Sequence, residues 1–360
     1  MQDRPRPAGL LRLVHHSTCP FRIAARDIGA ARPSANRTGG EPRPRCRRWS
    51  RKAAQEPAMT ERIEGVTISH PERVIFDDAG PGKAGLTKAG LARYYQRIAP
   101  LMLEEAADRP LSLLRLPDGM AGERFFQKHP GKGFPKAIRQ MQITESDGED
   151  AAYAYVADAA GLVAAVQMGT VEFHIWPARR DRLERPDRLV FDLDPDEGLG
   201  FDAVRSAALS LRGRLLDLGL DPWAMLTGGK GVHLVVPLRR SIGWGDLKRF
   251  ARGFAALCAQ DEPDRYTVEL AKAGRKGRIF IDWLRNERGS TAVAPFSVRA
   301  RPGAPVAAPV GWDELAGITT ARAFDTQAAQ ERGWAGVTRK PQGLTRPIFA
   351  ALDKALAGAG

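Results

Sequence analysis

The sequence predicts a mixed α/β protein of α+β type, with strands and helices interspersed along the chain. Three observations carry that prediction. Short apolar or alternating runs, such as residues 170–176 and 188–194, read as strands. Stripes at a spacing of three and four, such as Leu91, Tyr94, Tyr95, Ile98 and Leu101, read as helices. The two kinds of segment follow one another with no internal repeat. Hydrophobic residues make up 43% and charged residues 27% of the 360, which permits a buried core and excludes wholesale disorder. No run of about 18 apolar residues occurs, so no membrane span is expected and a cytoplasmic, nucleoid-associated protein is.

In chain order, residues 86–102 form a helix capped by Thr87, which Pro100 ends or kinks. Residues 111–116 are a short strand closed by the turn Pro117-Asp118-Gly119. Residues 144–158 are acidic and Ala-rich, and order resumes at Leu162, Val163 and Val166. After the two strands named above, a helix covers about 202–218, with Val204, Leu211, Leu215 and Leu218 on one face. Ala224–Thr227 and Val232–Leu238 are strands around a glycine turn, 244–258 a helix, and 278–284 a strand. Residues 300–311 are a Pro/Gly-rich loop, and a last helix lies near 347–357.

Charge divides the chain. Its 55 Lys+Arg and 42 Asp+Glu give +13. Residues 1–58 hold thirteen basic residues against four acids, a net of +9, so the other 302 residues carry +4. Any nucleic-acid surface of the globular part is therefore a local patch. The leader lacks the apolar core of a secretory signal and reads as a disordered basic arm that grips DNA nonspecifically. A transit peptide and a true start at Met59 are the alternatives. Residues 59–320 are expected to form the domain, and 321–360 a helical tail packed on it. Three cysteines, Cys19, Cys46 and Cys258, exclude a disulfide framework and suit a reducing cytosol.

The main chemical signal is Val190-Phe191-Asp192-Leu193-Asp194-Pro195-Asp196. In a strand Asp192 and Asp194 point to one face, about 7 Å apart, while Phe191 and Leu193 anchor the other. Carboxylates converging this way suit two Mg²⁺ or Mn²⁺ ions. Solvated acids at a capped strand end are the plainer explanation. A third acid, Asp282, lies in the apolar strand Ile279-Phe280-Ile281-Asp282, where a carboxylate is costly unless paired or metal-bound. An Asp–Arg pair competes with a metal there.

Thr227-Gly228-Gly229-Lys230-Gly231-Val232-His233 brings backbone N–H groups, a hydroxyl and a lysine into one turn, either a phosphate cradle or a plain hairpin. A P-loop is absent. His233 and His174 alternate with apolar residues and serve equally well as structural histidines. Arg275, Arg285, Arg299 and Arg301 surround the third acid in sequence, as triphosphate donors or as surface arginines. Phe125 and Phe126 stand among Arg124, Lys128 and His129, an arrangement on which bases stack, although one Phe of such a pair is usually core.

Together with Ile68-Ser69-His70-Pro71-Glu72-Arg73-Val74, Leu86-Thr87-Lys88 and Thr291-Ala292-Val293-Ala294-Pro295-Phe296-Ser297-Val298-Arg299-Ala300-Arg301, these segments resemble, in order and over residues 66–315, the primase-polymerase domain of bacterial ligase D, in the archaeo-eukaryotic primase superfamily. The resemblance implies two interlocked α/β modules, the second RRM-like, with the site in the cleft. It implies a template-directed nucleotidyltransferase at DNA double-strand breaks in non-homologous end joining, favouring ribonucleotides and Mn²⁺ over dNTPs and Mg²⁺. By it Asp192, Asp194 and Asp282 bind two metal ions. His174, Thr227, Gly228, Lys230, Arg275 and Arg299 hold the triphosphate, supported by His233. Arg73 and Lys88, with Lys128 nearby, hold the 5′-phosphate of a DNA end, and Phe125 and Phe126 abut the template strand. Ku and a DNA ligase are the implied partners. Thr227 stands where Ser is usual and Arg73 where Lys is frequent, which changes contact geometry. No Lys-x-Asp-Gly ligase motif occurs, so the chain is not expected to seal nicks. Two readings compete: a non-catalytic DNA-end binding module recruiting a separate ligase, and an unrelated phosphate-binding hydrolase.

Overall fold

The computed structural model describes residues 59–78 and 84–358, so the expectations for the leader, residues 1–58, lie outside the described residues. The described chain opens with the hairpin β1 (Thr60–Ile63) and β2 (Val66–Ser69). β3 (Val74–Phe76) and β4 (Leu86–Thr87) pair next and lead into α1 (Lys88–Ala106). The Thr87 hydroxyl caps α1 by accepting from the Gly90 N–H at 3.1 Å. Pro100 neither ends nor bounds this helix, which continues to Ala106. Burial of Ile98, Ala99, Met102 and Ala106 on both sides of the proline outweighs the one lost hydrogen bond.

Then follow β5 (Leu111–Arg115), β6 (Phe125–Gln127), β7 (Arg139–Thr144), β8 (Asp150–Tyr155), α2 (Ala159–Gln167) and β9 (Thr170–Ile175). The acidic, Ala-rich stretch is thus the second half of the hairpin β7–β8. Acids at its turn and alanines in its strand hide the pattern, and Tyr153 anchors it edge-on to Trp176 at 5.4 Å. β9, β5 and β6 join the later strand β15 (Ala292–Val293) in a sheet of order β15-β9-β5-β6. Its Leu111, Leu113, Val171 and Phe173 face α1 and α2 and form one core with them.

The second half reads β10 (Arg188–Pro195), α3 (Phe201–Asp217), β11 (Trp223–Leu226), β12 (Val232–Pro237), α4 (Trp244–Asp261), β13 (Tyr266–Thr267) and β14 (Ile279–Asp282). With β16 (Ala308–Val310) these strands form a sheet of order β13-β14-β10-β12-β11-β16. Leu189, Phe191 and Leu193 bury against α3 and α4 in a second core. The opposite face of this sheet meets the first sheet through Val190, Trp223, Met225 and Val235, which pack with Ala292 and Val293. Period-two alternation in β10 therefore fixes which face receives the acids. Three helices close the chain: α5 (Trp312–Gly317), α6 (Thr326–Arg332) and α7 (Arg346–Gly358). Beyond α6 the Trp334 indole donates to the Leu101 carbonyl at 3.2 Å on α1, and α7 lays Phe349 edge-on to Phe250 of α4 at 5.7 Å. Among the described residues no helix is long and apolar enough to cross a membrane.

Candidate active site

Strand register gathers the acids. Asp192 lies opposite Asp282 in the antiparallel pair β10–β14 and opposite His233 in the pair β10–β12. Residues directly opposite share a face, so Asp282, Asp192 and His233 form one row, and Asp194 joins the same face two residues on. Asn286, to which the sequence assigns no role, secures this register. Its side-chain amide accepts from Val190 N–H at 2.8 Å and donates to the Val190 carbonyl at 2.7 Å, doing a strand's work on β10. Nε2 of His233 is 3.4 Å from Asp192 Oδ1. Arg285 spans the two facing acids, with Nη2 at 2.9 Å from Asp282 Oδ2 and 3.4 Å from Asp192 Oδ2. The Asp–Arg pair expected as a competitor is therefore present.

The electrostatics of the three acids differ. Burial opposes the charge of Asp192, but His233, Arg285 and Arg299 outweigh it and hold this carboxyl well below the usual range. Asp194 is pushed up by burial and by the neighbouring Asp192 charge, against Arg275 and Lys230. Asp282 is also pushed up, by burial first, with Arg285 opposing and Asp192 adding to it. Acids that repel each other in this way gain from a bound cation.

Around Asp192 and Asp194 a cavity is lined by His174, Thr227, Lys230, His233 and Arg299, with Arg285 and Arg301 also at its wall. The glycine turn between β11 and β12 is organised from within by Thr227. Its hydroxyl donates to the Gly231 carbonyl at 2.9 Å and accepts from Gly229 and Gly231 N–H at 3.2 Å each. One hydroxyl has one donor and two lone pairs, so Thr227 is fully engaged in shaping the turn. Gly228 adopts φ +64°, the left-handed conformation that the turn needs, and stands back from the cavity wall. Arg275 also stands back: Nη1 is 3.3 Å from Asp194 Oδ2, Nε and Nη2 donate to the Glu269 and Leu270 carbonyls, and the guanidinium lies over Phe280 at 3.8 Å.

The facing wall comes from the other sheet. Glu172 and His174 alternate on one face of β9, and Phe126 of β6 meets His174 edge-on at 5.2 Å. Asp192 and Asp194 thus share the cavity with Lys230, Arg285, Arg299 and Arg301, a mixture of charge suited to metal-bridged phosphates.

A family model described as "LigD, primase-polymerase domain" matches residues 87–335. The chain belongs to this family. A LigD primase-polymerase domain is a nucleotidyltransferase, so the α/β fold and enzyme class implied by the resemblance stand. The chain is 39% identical over 302 residues to the multifunctional non-homologous end joining protein LigD of Pseudomonas aeruginosa, covering 84% of this chain and 35% of that one. It is 34% identical over 265 residues to the LigD of Mycolicibacterium smegmatis, covering 73% and 34%. The chain spans about a third of the length of these curated relatives. Among solved structures, the polymerase domain of Mycobacterium tuberculosis ligase D in complex with DNA superposes with a TM-score of 0.67 at 28% identity, covering 75% of this chain and 95% of that one.

LigD polymerase domains are metal-dependent as a family. The donor set here fits a hard divalent cation: three carboxylates on one face and no thiolate. Among the described residues no three His, Cys, Asp or Glu side chains are grouped to hold a metal ion as they stand, and Arg285 pairs with both Asp192 and Asp282.

The residues expected at DNA fall into two groups. Arg73 and Lys88 adjoin at the start of α1, where Arg73 donates to the Pro117 carbonyl at 2.7 Å and Lys88 to the Ser69 carbonyl at 3.0 Å. Burial and the Arg73 charge bring the Lys88 ammonium down to about 8. Phe125 and Phe126 are 42% and 59% exposed, so neither is core, and Lys128 follows them on the surface. Arg115 lies over the Phe125 ring at 5.2 Å.

Proposed function

We propose that residues 59–320 are a template-directed primase-polymerase that adds nucleotides, ribonucleotides preferred, to 3′ ends at DNA double-strand breaks in non-homologous end joining, with 321–360 as a helical tail packed on the domain. The observation that carries this reading is the row Asp282–Asp192 with Asp194 on the same face, beside a cavity that Lys230, Arg299 and Arg301 also line. Asp192, Asp194 and Asp282 would hold two Mn²⁺ or Mg²⁺ ions, which supply a lowered pKa for the primer 3′-hydroxyl and a counter-charge for departing pyrophosphate. His174, Lys230 and Arg299 receive the triphosphate, while Thr227 and Gly228 keep the turn in shape and His233 steadies Asp192. Arg275 fixes Asp194 from behind. These groups act by position and charge.

Arg73 and Lys88, with Lys128, receive the 5′-phosphate of the DNA end, and Phe125 and Phe126 meet the template strand. The DNA in the Mycobacterium tuberculosis complex and the end-joining names of the relatives support DNA as the ligand, and the resemblance suggests these residues for it. Ku and a ligase are the expected partners. A primer-template extension assay comparing ATP with dATP, in Mn²⁺ and in Mg²⁺, tests the reading. Asp192→Ala and Asp282→Ala are expected to abolish extension while the far-ultraviolet circular dichroism stays that of the wild type. Near-normal extension by either variant removes the metal assignment.

A further inference from the structure

Glu172 is an acid only 4% exposed beside a cleft read as binding a polyanion, and the scheme above gives it no role. An ionised carboxylate so buried is costly unless its oxygens are well bonded. Here they are. Oε1 accepts from the Ala300 N–H at 2.7 Å and Oε2 hydrogen-bonds His174 Nε2 at 2.8 Å, while Arg299 Nε lies 3.0 Å from Oε2 as an ion pair without hydrogen-bond geometry. Burial resists the charge, but His174, Arg299 and the Ala300 amide bring the carboxyl down to about 2.

The imidazole and the guanidinium it holds line the cavity, whereas Glu172 does not. Burial lowers the proton affinity of His174, so its ring is a neutral donor beside the Arg299 charge. The acid therefore sits behind both groups, where it orients them without facing the phosphates. Arg299 is tethered twice. Nε goes to Glu172 on β9, and Nη1 donates to the Thr227 carbonyl at the end of β11, so the guanidinium bridges the two sheets. The ion pair and the one directional hydrogen bond at Nη1 leave Nη2 committed to neither anchor. His174 is held from two sides, by Glu172 at Nε2 and by the edge contact of Phe126. A carboxylate at Nε2 also selects the tautomer protonated there.

We propose that Glu172 is a positioning residue for nucleotide binding: it fixes His174 and Arg299 in the orientation that receives the triphosphate. This rests on the polymerase reading of the same cleft. A side chain that acts through others changes substrate binding more than fold, because His174 and Arg299 remain but lose their aim.

Glu172→Gln keeps the size and removes the charge. It is expected to raise KM for ATP in primer extension about tenfold, from the loss of the Arg299 ion pair and the weakening of the hydrogen bond to His174. kcat and the affinity for the DNA end are expected to stay near wild type. Ser297→Ala is the control. Its hydroxyl accepts from Phe173 N–H at 2.9 Å on the same strand and bonds neither the His174 nor the Arg299 side chain, so the variant is expected to lower Tm without moving KM. A KM for Glu172→Gln within twofold of wild type overturns the proposal, as does an equal KM shift in Ser297→Ala. Should the Gln variant not fold, Glu172→Asp keeps the charge but loses the reach to His174 and Arg299, and an unchanged KM there overturns the proposal equally. A wild-type chain that extends no primer sinks the polymerase reading alone. Displacement of a fluorescent ATP analogue, compared between wild type and Glu172→Gln, then still decides the role of Glu172.

Discussion

Gly231 has no room for a side chain. A Cβ there would lie 2.3 Å from the Leu193 carbonyl oxygen and 3.5 Å from Asp192 Oδ1. The obstacle is backbone of the strand that carries the acids, so it yields only by moving that strand. Gly231→Ala is expected to cost about 1–3 kcal/mol in urea unfolding. It is also expected to lower extension more than its stability loss explains, since Asp192 and Asp194 shift together. Wild-type extension by a Gly231→Ala chain would show that β10 relaxes without moving its acids. Several site residues are legible one by one. Asp192 and Asp194 declare their shared face by their spacing, and Asp282 declares itself as an acid in an apolar run. The duties of Thr227, Arg275 and Glu172 are not legible, because hydrogen bonds to residues four to 128 positions away assign them. Glu172 does leave one trace, an acid two residues before His174 within a strand.

At the scale of elements, β6 presents both its phenylalanines to solvent on a strand three residues long, paired on β5. Their exposure is unusual for adjacent large apolar residues and points to a partner that supplies the missing burial. Phe125→Ala/Phe126→Ala is expected to weaken binding of a single-stranded template overhang by about 1–3 kcal/mol per lost stack. Tm is expected to stay unchanged, because neither ring is in a core. Unaltered overhang affinity in fluorescence anisotropy removes their template role. Element types with a long pattern were readable: α1, α3 and α4 from their stripes, β5, β9, β10, β11, β12 and β14 from apolar runs. Short elements were not. β1, β2, β6, β7 and α6 offer too few residues for a period to emerge, and charged or small residues occupy their exposed faces. The passage of α1 through Pro100 shows tertiary burial overriding a strong local breaker.

For the whole molecule, the buried charges set the response to acid. Glu172 has its proton affinity lowered from 4.5 to about 2 in the fold, so the folded state binds this proton more weakly than the unfolded one. Its contribution to stability is complete above about 4.5 and is lost as pH falls towards 2. Asp192 acts in the same direction, whereas Asp194 and Asp282, pushed up, oppose it. Urea unfolding followed from pH 5 down to 3 is expected to show wild-type stability falling with a steeper slope than that of Glu172→Gln. Parallel slopes would mean that Glu172 is not the ionised anchor described above.

By itself the sequence determined the mixed α/β class, the principal strands and helices, the faces they bury and the family to which the chain belongs. These follow from period, propensity and ordered motifs, all of which are local or linear in the chain. Only the tertiary structure decided that Asp282 lies opposite Asp192, that Arg285 stands between them, and that Glu172 and Arg299 link the two sheets across the cleft. Such meetings depend on strand register and sheet order, and pairing across the sheets is fixed by how both cores pack at once.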